Sequence, residues 1–328
     1  MELRRDQITQ SWVIQQTSEV SWATNGVCPL CPGNELLCPP NTYVFPYGVS
    51  DWQVRVVPHR HPVYRIEGDP ARVAEGLYDK MRNLGAHEVV IEHPDHAVQF
   101  MDLSDEHAMR ALGAYVARIS DLKKDLRFRY VTLFRNVGAE AGQELGHPHS
   151  EITATPFIPR RAAYELRAAL THYENKERCL FCDIVRQELD QQARTVDWNE
   201  LFVAFCPFAS RVPYEIWIMP TYHHCSFEED VTSPEKQLPL ARLLKSTLRR
   251  LASVTKAYHL VLHTSPNLKV RPFRTDAWKS LTDDYHWHIE ILPIIPGKSK
   301  SYSLKEVYFN SLPTPEIAAK ELREAPDK

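Results

Sequence analysis

Near the middle of the chain, Gly146-His147-Pro148-His149-Ser150-Glu151-Ile152 puts two histidines and a glutamate at alternating positions. On an extended strand side chains repeat every two residues, so His147, His149 and Glu151 would share one face. Three titratable groups on one face are costly to bury without partners or chemistry. The chemistry open to them is metal ligation, a histidine nucleophile with helpers, or a polar strand satisfied in the core. The same pattern returns in "HWHIE" as His286, His288 and Glu290.

Cysteines narrow the choice. Four of the seven form two CxxC pairs, Cys28/Cys31 in "CPLC" and Cys179/Cys182 in "CLFC". In a reducing compartment such pairs read as metal or redox sites rather than a disulfide framework. Tetrahedral zinc takes four nitrogen or sulfur ligands, of which CxxC supplies two. Candidates for the others are His96 and His147 in the first case, and His223 or His224 with His286 in the second. If His147 is a ligand, His149 is left beside a rigid site, placed to act as nucleophile or general base. Cys38, Cys206 and Cys225 stand at no motif spacing and read as ordinary thiols.

The elements that must position these residues occur twice. CxxC is followed by an extended segment ending in proline and histidines, then an amphipathic helix, a strand and H-x-H-x-E. In the first helix Ser104 is placed to cap, and Leu112, Tyr115, Val116, Ile119 and Leu122 form one face. In the second, Ser233 caps, Pro234 takes the first helical position, and Leu240, Leu244, Leu248, Leu251 and Tyr258 make the stripe. The fold class is therefore α+β: two tandem related halves, 1–165 and 166–328, each an antiparallel sheet with packed helices. The segment "RRAAYELRAALTHYENKE" is expected to bridge them as a helix. Before its H-x-H-x-E the first half has the glycine-spaced "NVGAEAGQELG", where backbone can approach a ligand, so the working site is expected there.

Composition sets the bounds. The 328 residues are 43% hydrophobic and 25% charged, a globular balance, with a net charge of −3. That charge gives no general attraction to nucleic acid or an anionic membrane. No apolar run approaches the roughly 20 residues of a bilayer span. The opening "MELRRDQITQSWVIQ" lacks the apolar core of a signal peptide, so a cytoplasmic enzyme is expected.

Taken together, these motifs resemble the galactose-1-phosphate uridylyltransferase family of the histidine-triad superfamily, nearest its ADP-glucose phosphorylase-like branch. "RRDQITQSW", "CPLCPGNE", "AHEVVIEHPDH", "RNVGAEAGQELGHPHSE", "YHLVLHTSPN", "DYHWHIEILP" and "PTPEIAAKELRE" carry the likeness, nearly end to end. The resemblance implies two histidine-triad-like halves and one or two structural zinc sites. Cys28, Cys31, His96 and His147 would hold the first zinc, and Cys179, Cys182, His223 and His286 the second. It implies that His149 attacks the α-phosphorus of a nucleotide sugar, forming a nucleotidyl-histidine that is then passed to a second acceptor such as a sugar phosphate. Asn136 and the backbone at Gly138 and Gly142 would cradle the phosphate. A homodimer is implied as well.

Four departures surround the substrate. Glu151 stands where the family has a glutamine that donates to a phosphoryl oxygen, and an ionised carboxylate only accepts. His59, in "PHRHP", replaces an asparagine that contacts the nucleotide. "QQTSEVSWATNGV" has no arginine before the first CxxC, and "SYSLKEVYFN" lacks the usual glycine. A retained mechanism with a changed substrate is the main reading. The alternatives are a hydrolase or lyase in which Glu151 is the base, and a non-catalytic binding protein on a zinc scaffold.

Overall fold

The computed structural model describes residues 1–15, 26–47, 51–270, 278–295 and 312–327. The arginine-free stretch before Cys28 and the "SYSLKEVYFN" segment fall, wholly or in large part, outside the described residues.

Ten strands form one sheet, with antiparallel pairing between neighbours. Its order is Thr195–Trp198, Phe202–Phe205, Ile216–Pro220, His288–Pro293, Tyr258–His263, Tyr130–Val137, His149–Thr155, Ala86–Ile91, Val54–Pro58 and Tyr43–Phe45. Five strands come from each half of the chain. They join where Tyr130–Val137 pairs with Tyr258–His263, so each H-x-H-x-E strand lies one place from the seam. A second sheet of four strands includes Glu2–Arg5 and Tyr78–Arg82.

The helices Asp105–Leu122 and Pro234–Ala252 pack on each other and cover one face of the large sheet. Ser104 caps the first by accepting from the His107 N–H at 3.1 Å. Ser233 precedes the second without a side-chain cap bond, leaving Pro234 as its start signal. Leu112, Tyr115, Ile119 and Leu122 of the first, and Leu240, Leu244, Leu248 and Leu251 of the second, are buried in the main core. Tyr258 does not belong to the helical stripe: the helix ends at Ala252, and Tyr258 opens the next strand. The bridging segment is helical from Arg160 to Lys176. No helix among the described residues is long and apolar enough to cross a membrane.

Period-two alternation then assigns the faces. Ile152, Ala154, Ile289 and Ile291 point into the helix-covered core, so His149, Glu151, His288 and Glu290 point to the opposite face.

Candidate active site and metal clusters

The strand carrying His149 is pinned from behind. Ser150, on its core side, is 1% exposed and donates to Glu92, as does the Tyr115 hydroxyl; Arg135 pairs with the same carboxylate. Burial pushes the Glu92 carboxyl up, but Arg135 and the two hydroxyls outweigh it and hold it below its ordinary value. A buried carboxylate is tolerable on these terms, because both its oxygens accept and a guanidinium balances its charge. The strand beneath the site is thereby fixed in depth and register.

In front of it lies a cavity of about 240 Å³ lined by His59, His87, Asn136, Gly142, His149 and Glu151, among others. His149 Nδ1 lies 2.7 Å from the His147 carbonyl oxygen. A carbonyl only accepts, so Nδ1 carries the proton and Nε2 keeps its lone pair. Glu151 Oε1 is 4.0 Å from that Nε2, and Oε2 accepts from His87 at 2.6 Å. Burial alone would raise the Glu151 carboxyl, yet the His87 hydrogen bond and the surrounding imidazoles keep it below the usual carboxylate value. Asn136 Oδ1 accepts from His259 Nδ1 at 2.8 Å, which leaves the amide NH2 as its remaining donor group. Gly142 adopts a left-handed φ of 75° at the cavity wall. Gly138 is not among the lining residues: its N–H donates to Gln143 Oε1 at 2.8 Å, serving the turn.

Next to the cavity, Cys28, Cys31, His96 and His147 bring their donor atoms within 4.8 Å of one another; Cys179, Cys182, His223 and His286 do the same in the second half. Cys31 Sγ lies 3.3 and 3.5 Å from Nδ1 of His96 and His147, and Cys182 Sγ lies 3.3 and 3.6 Å from Nδ1 of His223 and His286. A tetrahedron with bonds of about 2.3 Å to sulfur and 2.0–2.1 Å to nitrogen needs S···N edges of about 3.5 Å, and these clusters have that size. The rings also face correctly. His147 Nε2 donates to His93 O and His223 Nε2 to Thr282 O, each at 2.8 Å, leaving Nδ1 as the inward lone pair. His224 instead accepts the Ser226 N–H and turns away. Burial, reinforced by Cys28, pushes the Cys31 thiol up to about 11, a cost that a bound cation would remove. Gly146 matters through its bareness: a Cβ there would sit 3.1 Å from His96 Nε2. Both donor sets fit a divalent metal.

A third group has four members, Glu165, His263, His288 and Glu290, all buried. Arg161 and Arg211 close on its carboxylates, at 2.8 and 2.7 Å from Glu290. Arg161 and Glu165 lie on the bridging helix, so residues just ahead of the expected boundary serve the second half. Two further residues escaped the reading of the sequence. His87 touches Glu151, and His263 contacts Glu165 at 2.9 Å and Glu290 at 3.5 Å. Only the register that sets Val89 opposite Glu151 brings His87 to the site, and pairing is not written in local periodicity.

A family model described as galactose-1-phosphate uridyl transferase, N-terminal domain, matches residues 6–159. ADP-glucose phosphorylase of Arabidopsis thaliana is 30% identical over 98% of this chain and 92% of its own length. Galactose-1-phosphate uridylyltransferase of Thermotoga maritima is 28% identical over 99% and 98%. Among solved structures, an ADP-glucose phosphorylase from Arabidopsis thaliana with bound ADP-glucose superposes with a TM-score of 0.79 at 28% identity, covering 99% of both chains. A uridylyltransferase superposes at 0.81 with 30% identity, covering 98% of this chain and 97% of that one.

Proposed function

The chain belongs to the galactose-1-phosphate uridylyltransferase family, and from that premise we propose that it transfers a nucleotidyl group through a covalent bond to His149. It is a transferase of the nucleotidyltransferase or phosphorylase kind, acting on a nucleotide sugar or sugar phosphate. The observation that carries the role of His149 is its tautomer: with Nδ1–H held by the His147 carbonyl, the Nε2 lone pair is the nucleophile.

The first half-reaction follows. Nε2 attacks the α-phosphorus, the P–N bond forms, and the bond to the departing sugar phosphate breaks with its electron pair on oxygen. A sugar phosphate leaves as a stable anion, so what the chain must supply is positioning and charge stabilisation. The Asn136 NH2 is the donor assigned to the phosphoryl oxygens, with His59 beside it; the Gly142 N–H already donates to Ala139 O at 3.0 Å, so Gly142 serves by letting backbone approach the phosphate without a side chain. Gly138 shapes the turn that presents Gly142. In the second half-reaction an acceptor displaces Nε2 and frees the histidine.

Zinc is assigned to both Cys2His2 clusters, where it would supply a rigid crosslink rather than chemistry on substrate. Cys28, Cys31, His96 and His147 then hold the catalytic strand from one side while the Glu92 network holds it from behind. Free cysteines suit a reducing compartment, which supports a cytoplasmic location, and family membership supports a homodimer.

Intact-protein mass spectrometry after brief incubation with UDP-, ADP-, GDP- and dTDP-sugars tests this reading. A nucleoside monophosphate added to the wild type and absent from His149→Ala is the expected result. Equal adduct on both proteins would remove His149 as the nucleophile.

A further inference from the structure

Nucleotidyl transfer to an anionic acceptor leaves Glu151 and its neighbour His87 without a task. With His59 they form a group whose donor atoms lie within 4.8 Å of one another. Two histidines and a carboxylate are also a metal pattern. The backbone around the rings argues against that use. At the thiol clusters the outward ring nitrogen of His147 and His223 donates to a carbonyl, which leaves the inward nitrogen as a lone pair. At His59 and His87 the outward nitrogen accepts instead. The His61 N–H donates to His59 Nδ1 at 3.1 Å, and the Val63 N–H to His87 Nδ1 at 3.3 Å. Each neutral ring therefore carries its proton on Nε2. The two rings stack 4.2 Å apart and 6° from parallel, an arrangement that disfavours charging both. His87 directs its proton to Glu151 Oε2 at 2.6 Å. What the group holds is an ionised carboxylate.

The second oxygen of that carboxylate, Oε1, lies 4.0 Å from the His149 Nε2 that would carry the phosphorus. It cannot donate to a phosphoryl oxygen and repels one. It can take a proton. A phosphate acceptor is already an anion and has no need of a base, whereas water or an alcohol does. Resting on the reading that His149 carries the nucleotidyl group, we infer that Glu151 is the general base for a neutral hydroxyl acceptor, water or an alcohol, with His87 as its positioning residue. The acceptor oxygen bonds to phosphorus, and the P–Nε2 bond breaks with its electron pair returning to His149. The acceptor proton moves to Glu151 Oε1 and from there to solvent. Water yields a nucleoside monophosphate, and an alcohol yields a phosphodiester.

The test follows the adduct on wild type and Glu151→Gln through its decay in H2¹⁸O, with methyl glucoside, and with inorganic phosphate. The wild type is expected to release product to water or to the glucoside, with one ¹⁸O in the monophosphate when water is the acceptor. In Glu151→Gln the ratio of hydroxyl to phosphate transfer is expected to fall about 100-fold or more. His87→Gln should lower the same ratio about tenfold and move the acid limb of hydroxyl transfer to higher pH, because an unsupported Glu151 protonates more readily. Equal hydroxyl transfer in Glu151→Gln, or an adduct discharged by phosphate alone, overturns the base and leaves His149 standing. A third metal ion per chain, lost from Glu151→Gln, overturns the base in favour of a metal site. If no donor gives an adduct on His149, the nucleophile and the base fall together.

Discussion

The strands His149–Thr155 and His288–Pro293 begin alike and end in different chemistry. In each, the histidine two places earlier belongs to a Cys2His2 cluster, and the next histidine turns Nδ1 back to that residue's carbonyl, at 2.7 Å for His149 and 3.2 Å for His288. The contrast lies in what covers them. The side chains of His149 and Glu151 are 10% and 18% exposed, beside a cavity. Those of His288 and Glu290 are 0% and 2% exposed. His263 stacks on His288 at 4.7 Å and 11°, while Arg161 and Arg211 clamp Glu290. One backbone device thus serves the proposed nucleophile where a glycine-containing turn leaves room, and a sealed ionic core where a helix and a loop deliver arginines.

The sharpest way to break this comparison is to remove each histidine in turn. His149→Ala is expected to lose turnover by about ten-thousand-fold or more, together with the mass adduct. His288→Ala should keep the adduct and lose about 2 kcal/mol of stability instead, read by denaturant midpoint. An adduct that vanishes in His288→Ala would tie the sealed site to catalysis and end the distinction.

The metal clusters carry the same comparison one step outward. Cys31→Ser and Cys182→Ser should each lower bound zinc by one equivalent per chain, measured by elemental analysis. Each should also destabilise the fold, on the order of 5 kcal/mol. Only Cys31→Ser should remove most of the activity of the protein that remains folded, because His147 precedes the proposed nucleophile, His149, by two residues. Equal activity in the two variants would mean that the first cluster does not position His149.

Much of this was legible because it depends on short spacings. CxxC, H-x-H-x-E and the helix stripes put their side chains on one face by local geometry alone; the cap at Ser104 and the start at Pro234 were equally local, while Ser233 makes no cap bond. The meeting of His87 with Glu151 depends on strand register across 64 residues, and Arg161 reaches Glu290 across 129. The choice between His223 and His224 depends on which of two adjacent rings the backbone turns inward. Tyr258 fitted a helical stripe by period and belongs to a strand, since the chain turns after Ala252. Ring tautomers were wholly hidden. They follow from single N–H groups at His61 and Val63, which no pattern of side chains reveals.

Unsealing the second site sharpens the contrast further. Arg211 holds both Glu215 and Glu290, and Glu215 is fully buried. Arg211→Met would leave buried Glu215 without its cation and Glu290 with Arg161 and His263 alone, and is expected to cost about 3–5 kcal/mol. Adduct formation on His149 should survive at temperatures where the variant is folded. If the variant is as stable as wild type, Arg161 alone suffices and the seal is not a two-arginine device.

The smallest effect is one of pH, and it belongs to the sealed half. His263 is raised to about 9: burial opposes its charge, but Glu165 and Glu290 outweigh burial. Its ordinary value is 6.5, so the folded state holds this proton more tightly than the unfolded chain does. The stability gained is fully present below pH 6.5 and is lost as pH rises through about 9. The displacement corresponds to roughly 3 kcal/mol, at 1.36 kcal/mol per unit. Denaturation of wild type beside His263→Gln at pH 6 and pH 9.5 isolates it, because thiols and other groups titrate in both proteins. The gap between the two should close by most of that amount at the higher pH. A gap that stays constant would mean that His263 is neutral throughout, and that Arg161 and Arg211 alone balance the two buried glutamates.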